Sequence, residues 1–421
     1  MNLNQWLKTI ESLHPSEIDL GLERLRTVSA RMGLSKPAPL VITVAGTNGK
    51  GSTVAMLEAI YLAAGYSVGT YTSPHLFVYN ERIRINGQMV SDQSLCDCFQ
   101  YINDKRQQVS LTYFEFGTLA GLKLIEDAGV DIAILEVGLG GRLDGVNIVD
   151  PDIAVITSVG LDHQDWLGDT REAIGLEKAG IFRPGIKAVC GDPEPPHSVL
   201  LHAHELGAHL AIQGQTFGFA WDGKQWEWNS LTDGCLPTSL QELPTPALDL
   251  INASTTLQAI HYAGKPVTEE AIRTTLSMVS VPGRFQRLQD KGGKNIILDV
   301  AHNPQAGELL SQKLSDLREF GDLTGQVRVV LAMMSDKDHI GFYNALESNG
   351  DFWYIAAFPQ PRCEQAPVLM EKLQQAGAKT IGPFNNIADA LCQACEDAAQ
   401  NDIILVTGSF MTVADAMDYI A

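Results

Sequence analysis

The sequence predicts an α/β protein in which a large N-terminal domain and a smaller C-terminal domain are each built around a mostly parallel β-sheet. Three observations support this prediction. At 421 residues the chain is too long for one ordinary hydrophobic core. From residue 40 onwards, short apolar runs alternate with helical stretches, as in β/α proteins. The alternation stops at residues 213–248 and restarts near residue 285, which predicts domains over residues 1–285 and 286–421.

The elements of the N-terminal domain are predicted from their apolar patterns. Its strands are short apolar runs bounded by turn residues, as buried parallel strands are. They are predicted at residues 40–45, 67–72, 131–137 and 152–159, and residues 82–87 enter a hairpin at Asn-Gly. Its first two helices end at the helix breakers Pro15 and Gly33. Helices are predicted at residues 4–14, 22–32, 50–64, 91–108 and 113–128.

The middle segment, residues 213–248, is rich in Gly, Pro and Trp. Trp221, Trp226 and Trp228 fall within eight residues, and the residues after Trp221 predict a small hairpin. These rings could form a stacking site, but the packed face of a hairpin is the favoured interpretation. In the C-terminal domain, strands are predicted at residues 295–300, 327–333, 352–357 and 402–406, with helical segments between them.

Composition argues against several classes of function. The formal net charge of −20 argues against a nucleic-acid partner, which requires a basic face. A membrane-spanning helix requires about eighteen consecutive apolar residues, and the sequence contains no such run. The N-terminus lacks the basic and apolar regions of a secretory signal, so we expect a cytoplasmic location. The seven cysteines are scattered, and Cys392 and Cys395, although spaced C-x-x-C, are expected to be structural.

A glycine-rich segment, Gly46-Thr47-Asn48-Gly49-Lys50-Gly51-Ser52-Thr53, joins the strand predicted at residues 40–45 to a helix. Glycines let backbone N–H groups approach phosphate oxygens, and a helix N-terminus favours an anion. Lys50 would reach the β- and γ-phosphates, and the Ser52 hydroxyl would ligate Mg²⁺. Gly51 departs from the usual spacing of such loops. The order strand, loop, lysine, hydroxyl and helix nevertheless favours an ATP-binding loop over a structural turn.

Polar residues follow three strands whose carboxyl ends should meet at the edge that carries this loop. Glu136 closes the strand at residues 131–137 and is suited to hold a metal, although a carboxylate here could instead cap a helix. His163 follows the strand at residues 152–159 and is favoured as a ligand because its position parallels that of Glu136. Ser73 and His75 follow the strand at residues 67–72 and offer a hydroxyl and an imidazole.

Together these motifs resemble the folylpolyglutamate synthase family, and within it the bifunctional bacterial members. The resemblance extends over nearly the whole chain, apart from the Trp-rich segment. It rests on matches at residues 19–22, 46–53, 73–76, 112–115, 136–144, 161–163, 177–182, 282–285, 299–304 and 336–338.

The resemblance implies an N-terminal P-loop ATPase domain and a C-terminal Rossmann-like α/β domain, with the active site between them. It implies an ATP-dependent amide ligase that joins L-glutamate to dihydropteroate and to reduced folates through an acyl phosphate. ATP would be the co-substrate and Mg²⁺ the cofactor, and the enzyme would also bind a monovalent cation. We expect the enzyme to be a monomer. The alternatives are a monofunctional folylpolyglutamate synthase and a cell-wall ligase acting on muramyl peptides. From another class, Asp336-Lys337-Asp338 is compatible with the guanine-reading loop of a GTPase.

The resemblance also implies roles for individual residues. It places ATP on Thr47, Asn48, Gly49, Lys50, Gly51 and Ser52, with Asn252, Arg284 and Asp299 on the far side of the cleft. It places Mg²⁺ on Ser73, Glu136 and His163. The pterin pocket would comprise Asp19, Leu20, Gly21, Leu22, Thr112, Tyr113, Phe114, Glu115, Leu143, Asp144 and Gly145. His302 and Ser409 would seat the glutamate. Lys178 matches a carbamylated lysine and would act with Lys50, Glu136 and His163 in catalysis; an unmodified, ion-paired lysine is the alternative.

Overall fold

The computed structural model describes residues 1–16 and 18–420. The chain divides into two compact units, Met1–Val279 and Ser280–Ala421. Residues 280–285, which the sequence assigned to the end of the first domain, therefore lie in the second unit. Gly283 shows why, because a Cβ at this position would lie 3.0 Å from Val413 and 3.1 Å from Val300. Within the described residues, no helix is long and apolar enough to cross a membrane.

The first unit contains an eight-stranded sheet. Its strands are β1 (Leu40–Ala45), β2 (Val68–Tyr71), β3 (Ile83–Ile85), β4 (Gln88–Met89), β5 (Ile132–Glu136), β6 (Ile153–Ile156), β7 (Lys187–Cys190) and β8 (His209–Ile212). Their spatial order is β4-β3-β2-β5-β1-β6-β7-β8. All pairs from β2 to β8 are parallel, whereas β3 and β4 form the antiparallel end of the sheet. The predicted hairpin at Asn86-Gly87 is confirmed, with positive φ angles of 51° and 77° at its two residues.

Helices surround this sheet. They are α1 (Leu3–Glu11), α2 (Glu23–Met32), α3 (Lys50–Ala63), α4 (Asp92–Arg106), α5 (Tyr113–Ala128), α6 (Gln164–Leu167), α7 (Arg171–Ala179), α8 (His197–Glu205), α9 (Leu250–Ala263) and α10 (Glu269–Met278). Helix α2 ends at Gly33 in the left-handed conformation, as predicted. Helix α5 begins at Thr112, which exchanges capping hydrogen bonds with Glu115. Short 3₁₀ helices cover Tyr79–Arg82 and Gly145–Ile148.

Both faces of the central strands are covered, which explains why all six residues of β1 are apolar or buried. One hydrophobic cluster contains Trp6, Leu25 and Phe116 from helices α1, α2 and α5. A second cluster contains Ile156 of β6 and Ile174 of α7. Both clusters use the same face of the sheet, since Val41 of the first and Ala45 of the second alternate to one side of β1, and helices α3 and α9 also pack against the central strands.

The Trp-rich segment forms a separate antiparallel sheet. Its strands are β9 (Phe217–Trp221), β10 (Gln225–Ser230) and β11 (Ser239–Pro244), in the order β11-β10-β9. Trp226 and Trp228 are 1% and 0% exposed, so the predicted packed hairpin face is confirmed for them. For Trp221, which is 37% exposed at the end of β9, that prediction is wrong.

The second unit contains a six-stranded sheet with helices on it. Its strands are β12 (Gln286–Gln289), β13 (Asn295–Leu298), β14 (Val327–Leu331), β15 (Phe352–Ile355), β16 (Thr380–Ile381) and β17 (Ile403–Thr407), in the order β12-β13-β17-β14-β15-β16. Only β12 pairs in antiparallel fashion. Its helices are α11 (Pro304–Glu319), α12 (His339–Leu346), α13 (Ala366–Gln375), α14 (Ile387–Asp397) and α15 (Phe410–Ile420). The predicted two-domain α/β fold with parallel sheets is thereby confirmed.

Candidate active site

The phosphate loop lies between β1 and α3, as predicted, and two of its glycines cannot be replaced without a clash. Gly46 has φ 149°, and a Cβ there would lie 1.9 Å from Thr157 Oγ1. Gly49 has φ 89° and directly precedes α3, and its Cβ would lie 2.3 Å from Asn252 Oδ1. The loop is therefore packed between the end of β6 and helix α9. The predicted nucleotide residue Asn252 thus contacts the loop directly and belongs to the same unit, so its predicted place on the far side of a cleft is wrong.

Hydrogen bonds fix the loop in this shape. Thr47 N–H donates to Ser158 O at 2.9 Å, and Asn48 N–H donates to Ser158 Oγ at 3.0 Å. Thr157 Oγ1 donates to Asn48 O at 2.6 Å. Lys50 lies over its own loop, where Nζ donates to the carbonyls of Gly46 (2.9 Å) and Thr47 (3.2 Å). Backbone and ammonium groups are thus gathered at the N-terminus of α3, which suits an anionic ligand.

Glu136 and Ser73 meet beside this loop. Glu136 ends β5 and pairs with Val44 of β1, while Ser73 follows the neighbouring strand β2. The Glu136 side chain is buried, and its Oε2 accepts the Ser73 N–H at 3.2 Å. A Cβ on Gly51 would be 3.9 Å from Glu136 Oε1, which places the carboxylate next to the first turn of α3. The strand order β2-β5-β1 therefore brings two of the three predicted metal ligands together.

His163 occupies the loop after β6, on the other side of β1. It is exposed, has φ 51° and precedes the short helix α6, which presents Trp166 at 46% exposure. Among the described residues, no group of three or more His, Cys, Asp or Glu side chains is close enough to hold a metal ion. Mg²⁺ is commonly held by one or two carboxylates together with water and substrate phosphates. One buried carboxylate and a serine hydroxyl beside a phosphate loop fit that mode of binding.

Lys178 is buried on α7, close to the same edge. Burial and, to a smaller extent, the positive charge of Lys50 lower its pKa to about 7, against the opposing effects of Asp162 and Asp144. Helix α7 is fixed to the loop after β5, because Arg142 N–H donates to Glu177 O at 2.8 Å and the two side chains form an ion pair at 2.7 Å. The sequence therefore places, at the edge that carries Lys50, a lysine whose pKa lies well below its usual value.

Asp144 belongs to the loop that follows β5. Its carboxylate accepts the N–H groups of Leu139 (2.8 Å) and Val146 (2.9 Å), and it is buried. Burial raises its pKa to about 6 despite these hydrogen bonds. A Cβ on Gly138 would lie 2.5 Å from the Phe114 ring and 3.3 Å from Asp144 Oδ2. Phe114 and Asp144, two residues predicted for the pterin pocket, therefore converge on Gly138.

The other residues predicted for that pocket lie nearby. A Cβ on Gly145 would be 3.3 Å from Thr118 Oγ1 and 3.5 Å from Leu25. Thr112 and Glu115 form the cap of α5, and Arg24 joins Glu115 to Asp19. The structure thus gathers residues from the three predicted segments. Leu20, Gly21 and Leu22 lead from Asp19 into α2, Tyr113 opens α5, and Leu143 precedes Asp144.

The remaining predicted residues lie at the carboxyl edge of the second unit's sheet. Asp299 accepts the N–H groups of Phe285 (2.8 Å) and Ala301 (2.9 Å); burial raises its pKa, while Lys313 and Arg284 oppose this shift. The Arg284 guanidinium lies 5.3 Å from the centre of the Phe410 ring.

The two residues predicted to seat the glutamate are held by local hydrogen bonds. His302 Nδ1 is 2.9 Å from Val300 O. Ser409 Oγ accepts the Thr412 N–H at 3.0 Å. The Gly408 N–H donates to Ala301 O at 3.0 Å, which draws the loops after β13 and β17 together.

The loop after β14 reaches the same edge. Asp336 there forms an ion pair with Arg362 at 3.2 Å. The Asp336-Lys337-Asp338 motif, which is compatible with a guanine-reading loop, belongs to the second unit, whereas the phosphate loop belongs to the first.

Three residues of the site were missed by sequence reasoning. Thr157 and Ser158 shape the phosphate loop, and Arg24 fastens one predicted segment to another. A signal for the first two was present, because they directly follow a strand that must neighbour β1. Arg24 carried no local signal, since its partner Glu115 lies 91 residues away.

The chain matches known protein families and characterised relatives. A family model described as "Mur ligase middle domain" matches residues 44–190, and one described as "Mur ligase, glutamate ligase domain" matches residues 283–410. The chain is 44% identical over 418 residues to the dihydrofolate synthase/folylpolyglutamate synthase of Escherichia coli (strain K12), covering 99% of this chain and 95% of the relative.

Solved structures agree with this. The E. coli FolC complex with DHPP and ADP superposes with a TM-score of 0.93 at 44% identity, covering 100% of this chain and 98% of that one. A bifunctional folylpolyglutamate synthase/dihydrofolate synthase with Mn, AMPPNP and L-glutamate bound gives 0.90 at 46% identity, covering 99% and 98%.

Proposed function

The chain belongs to the dihydrofolate synthase/folylpolyglutamate synthase family, and from this membership we propose that it ligates L-glutamate to dihydropteroate and to reduced folates with ATP as co-substrate. The observation that carries the proposal is the meeting of three groups at one sheet edge of the first unit. These are the phosphate loop with Lys50, the contact between Ser73 and the buried Glu136, and the buried Lys178. Parallel α/β sheets bind ligands at this edge.

The first chemical step activates a carboxylate, because its oxide is too poor a leaving group for direct attack by an amine. A carboxylate oxygen of the folate substrate attacks the γ-phosphorus of ATP, and the bond to the ADP oxygen breaks. The ammonium of Lys50 neutralises charge on the transferring phosphoryl group. It is already at the phosphate loop, where it now bonds the carbonyls of Gly46 and Thr47. Ser73, Glu136 and His163 would hold the Mg²⁺, which would act as a Lewis acid and neutralise negative charge on the phosphates.

The second step forms the amide. The α-amino nitrogen of glutamate attacks the acyl carbon, the bond to the phosphate oxygen breaks, and a proton leaves the nitrogen. In the second unit, His302 and Ser409 would seat the glutamate, and Arg284 and Asp299 would complete the nucleotide site.

Lys178 would carry a carbamate. A neutral amine attacks the carbon of CO₂, and one proton passes from nitrogen to water, leaving a carboxylate on the side chain. The lowered pKa of Lys178, about 7, favours this reaction because it provides the neutral amine. The product replaces a positive charge near Lys50 by a negative one. This would relieve the repulsion between Lys178 and Lys50 and add an anion near the metal.

The finer assignments follow the same proposal. The enzyme would act as a monomer in the cytoplasm, which agrees with its seven free cysteines. A binding site for a monovalent cation stays a prediction. The two units would act as an ATP-binding domain and a glutamate-ligase domain.

ADP release from the purified protein tests the proposal. The panel contains dihydropteroate, a reduced folate monoglutamate and a nucleotide-linked muramyl peptide, each with ATP, Mg²⁺ and L-glutamate. We expect ADP with the first two and none with the third. ADP with the muramyl peptide alone would assign the chain to cell-wall synthesis. Replacing ATP by GTP should abolish turnover.

A further inference from the structure

Arg24 connects two chain segments that are distant in sequence. It lies in the first turn of α2, where Nη1 donates to Asp19 Oδ2 and Nη2 to Asp19 O, both at 2.8 Å. On its other side, Nη2 donates to Glu115 Oε1 at 3.0 Å and Nε to Glu115 Oε2 at 3.4 Å. A single guanidinium thus fastens the segment before α2 to the N-terminus of α5.

The burial of Glu115 makes this connection necessary. Its side chain is only 5% exposed, and its Oε2 also accepts the Thr112 N–H at 2.8 Å as part of the helix cap. Removing the guanidinium would leave a buried negative charge without its cation. Asp19 is more exposed, at 38%, and His14 Nε2 lies 3.3 Å from it. The carboxylates of Asp19 and Glu115 are therefore already engaged by protein groups.

We propose that Arg24 is a positioning residue for the pterin-bearing substrate, because it holds residues 19–22 against the start of α5 before the substrate arrives. The inference rests on the proposed function, which supplies the identity of the substrate. It assigns Asp19 and Glu115 a supporting role through Arg24. A planar guanidinium can engage both carboxylates at once, which a lysine ammonium does with much poorer geometry. A preformed pocket avoids the cost of ordering these segments on binding.

Steady-state kinetics with three substrates tests this role. In Arg24→Ala the KM for dihydropteroate should rise at least tenfold, while the KM values for ATP and glutamate stay within about twofold of wild type. Arg24→Lys should fall between the two. The matched control is Arg31→Ala in the last turn of the same helix, where Nη1 donates to Arg106 O at 2.9 Å. This control should keep all three KM values.

A second variant covers the case in which Arg24→Ala does not fold. Glu115→Gln retains a side chain that can form the helix cap but removes the charge that Arg24 neutralises. It should also raise the KM for dihydropteroate selectively. Hydrogen exchange of residues 18–22 should be faster in both variants than in wild type or Arg31→Ala.

An unchanged KM for dihydropteroate in active, folded Arg24→Ala and Glu115→Gln would overturn the inference, as would an equal rise in all three KM values. If the wild type does not turn over dihydropteroate at all, the proposed function itself fails. The two failures are therefore distinct.

Discussion

At the phosphate-loop edge, the pKa values of Asp144 and Lys178 depend on burial and on charged residues that are distant in sequence. Lys50 and Lys178 are both cationic at low pH, and Lys50 contributes to the lowered pKa of Lys178. Asp144 lies close enough for its pKa to be reduced by Lys50, although burial dominates and raises it to about 6. The chemistry of each side chain is therefore set by the others, and single substitutions should reveal this.

Lys50→Ala should lose ligase turnover by about 10²-fold or more, because it removes the cation that stabilises the transferring phosphoryl group. The measurement is ADP release with dihydropteroate at saturating ATP, with circular dichroism to establish folding. Lys36→Ala is the control, since its ion pair with Asp152 is exposed and should contribute little. Near-normal turnover by folded Lys50→Ala would disprove the assignment of the phosphate loop.

Lys178→Ala should be nearly inactive and should regain part of its activity with acetate or formate, which would replace the carbamate. Mass spectrometry of the native wild type under bicarbonate should show one CO₂ adduct that is absent from the variant. An active wild-type enzyme with unmodified Lys178 would contradict the carbamate.

The pKa of Lys178 predicts two pH effects. The neutral amine becomes the main form as pH rises through about 7, so activity at limiting CO₂ should rise through that pH and bicarbonate should restore it below. For the unmodified lysine, the native state binds fewer protons than the unfolded chain between pH of about 7 and 10.5. The free energy of unfolding of wild type should therefore increase with pH across this window relative to Lys178→Met, in denaturant titrations without CO₂. A flat difference would show that the lysine is not desolvated.

At the scale of elements, the loop between β1 and α3 depends on neighbours from β6 and α9. Its glycines are needed for backbone angles and also for space, since Thr157 and Asn252 occupy the positions where side chains would lie. Conformation and packing can be separated by comparing two glycines of the first unit.

Gly49→Ala should raise the KM for ATP at least tenfold, because its Cβ would meet Asn252 and its φ of 89° is unfavourable for alanine. Gly33→Ala is the matched control. Gly33 has φ 69° with nothing within 4 Å of the Cβ, so only the backbone cost of about 1–2 kcal/mol applies. ATP titrations and thermal unfolding of both variants measure the two effects. Equal KM values would show that the contact with Asn252 is unimportant.

Most elements could be predicted from sequence because their signals are local. The strand at residues 40–45 and the helix at Tyr113–Ala128 have the predicted bounds, since an apolar run and a capping box mark them. The short helix α6 and the four-residue strands β7 and β8 were not predicted, because four residues provide too little periodicity. The burial of Trp226 and Trp228 followed from strand alternation, whereas Trp221 lies at a strand end where alternation no longer decides burial.

For the whole molecule, the sequence predicted candidate residues for the first unit's site but not how they contact one another. The order β2-β5-β1-β6 explains why Ser73, Glu136 and the phosphate loop meet, and a pattern of alternating elements does not contain that order. The bond between Thr157 and Asn48 joins residues 109 positions apart. Such contacts depend on the packing of the complete domain.

The complete enzyme should catalyse two ligations at one centre, because both activate a carboxylate and use the same amine. One preparation should therefore turn over dihydropteroate and a reduced folate monoglutamate. Lys50→Ala should abolish both activities. Asp144→Ala should change their ratio, since Asp144 lies beside Phe114 at Gly138 in the predicted pterin pocket. Turnover of only one substrate by wild type would leave a monofunctional ligase.

The exposures of the six tryptophans give the protein an internal optical probe. Trp6, Trp226, Trp228 and Trp353 are at most 2% exposed, whereas Trp166 and Trp221 are 46% and 37% exposed. A water-soluble collisional quencher such as iodide should therefore act on only these two indoles. In Trp221→Phe the quenchable fluorescence would come from Trp166 alone, three positions after His163. Changes in its quenching on addition of nucleotide and Mg²⁺ would report ligand occupancy at that loop in real time.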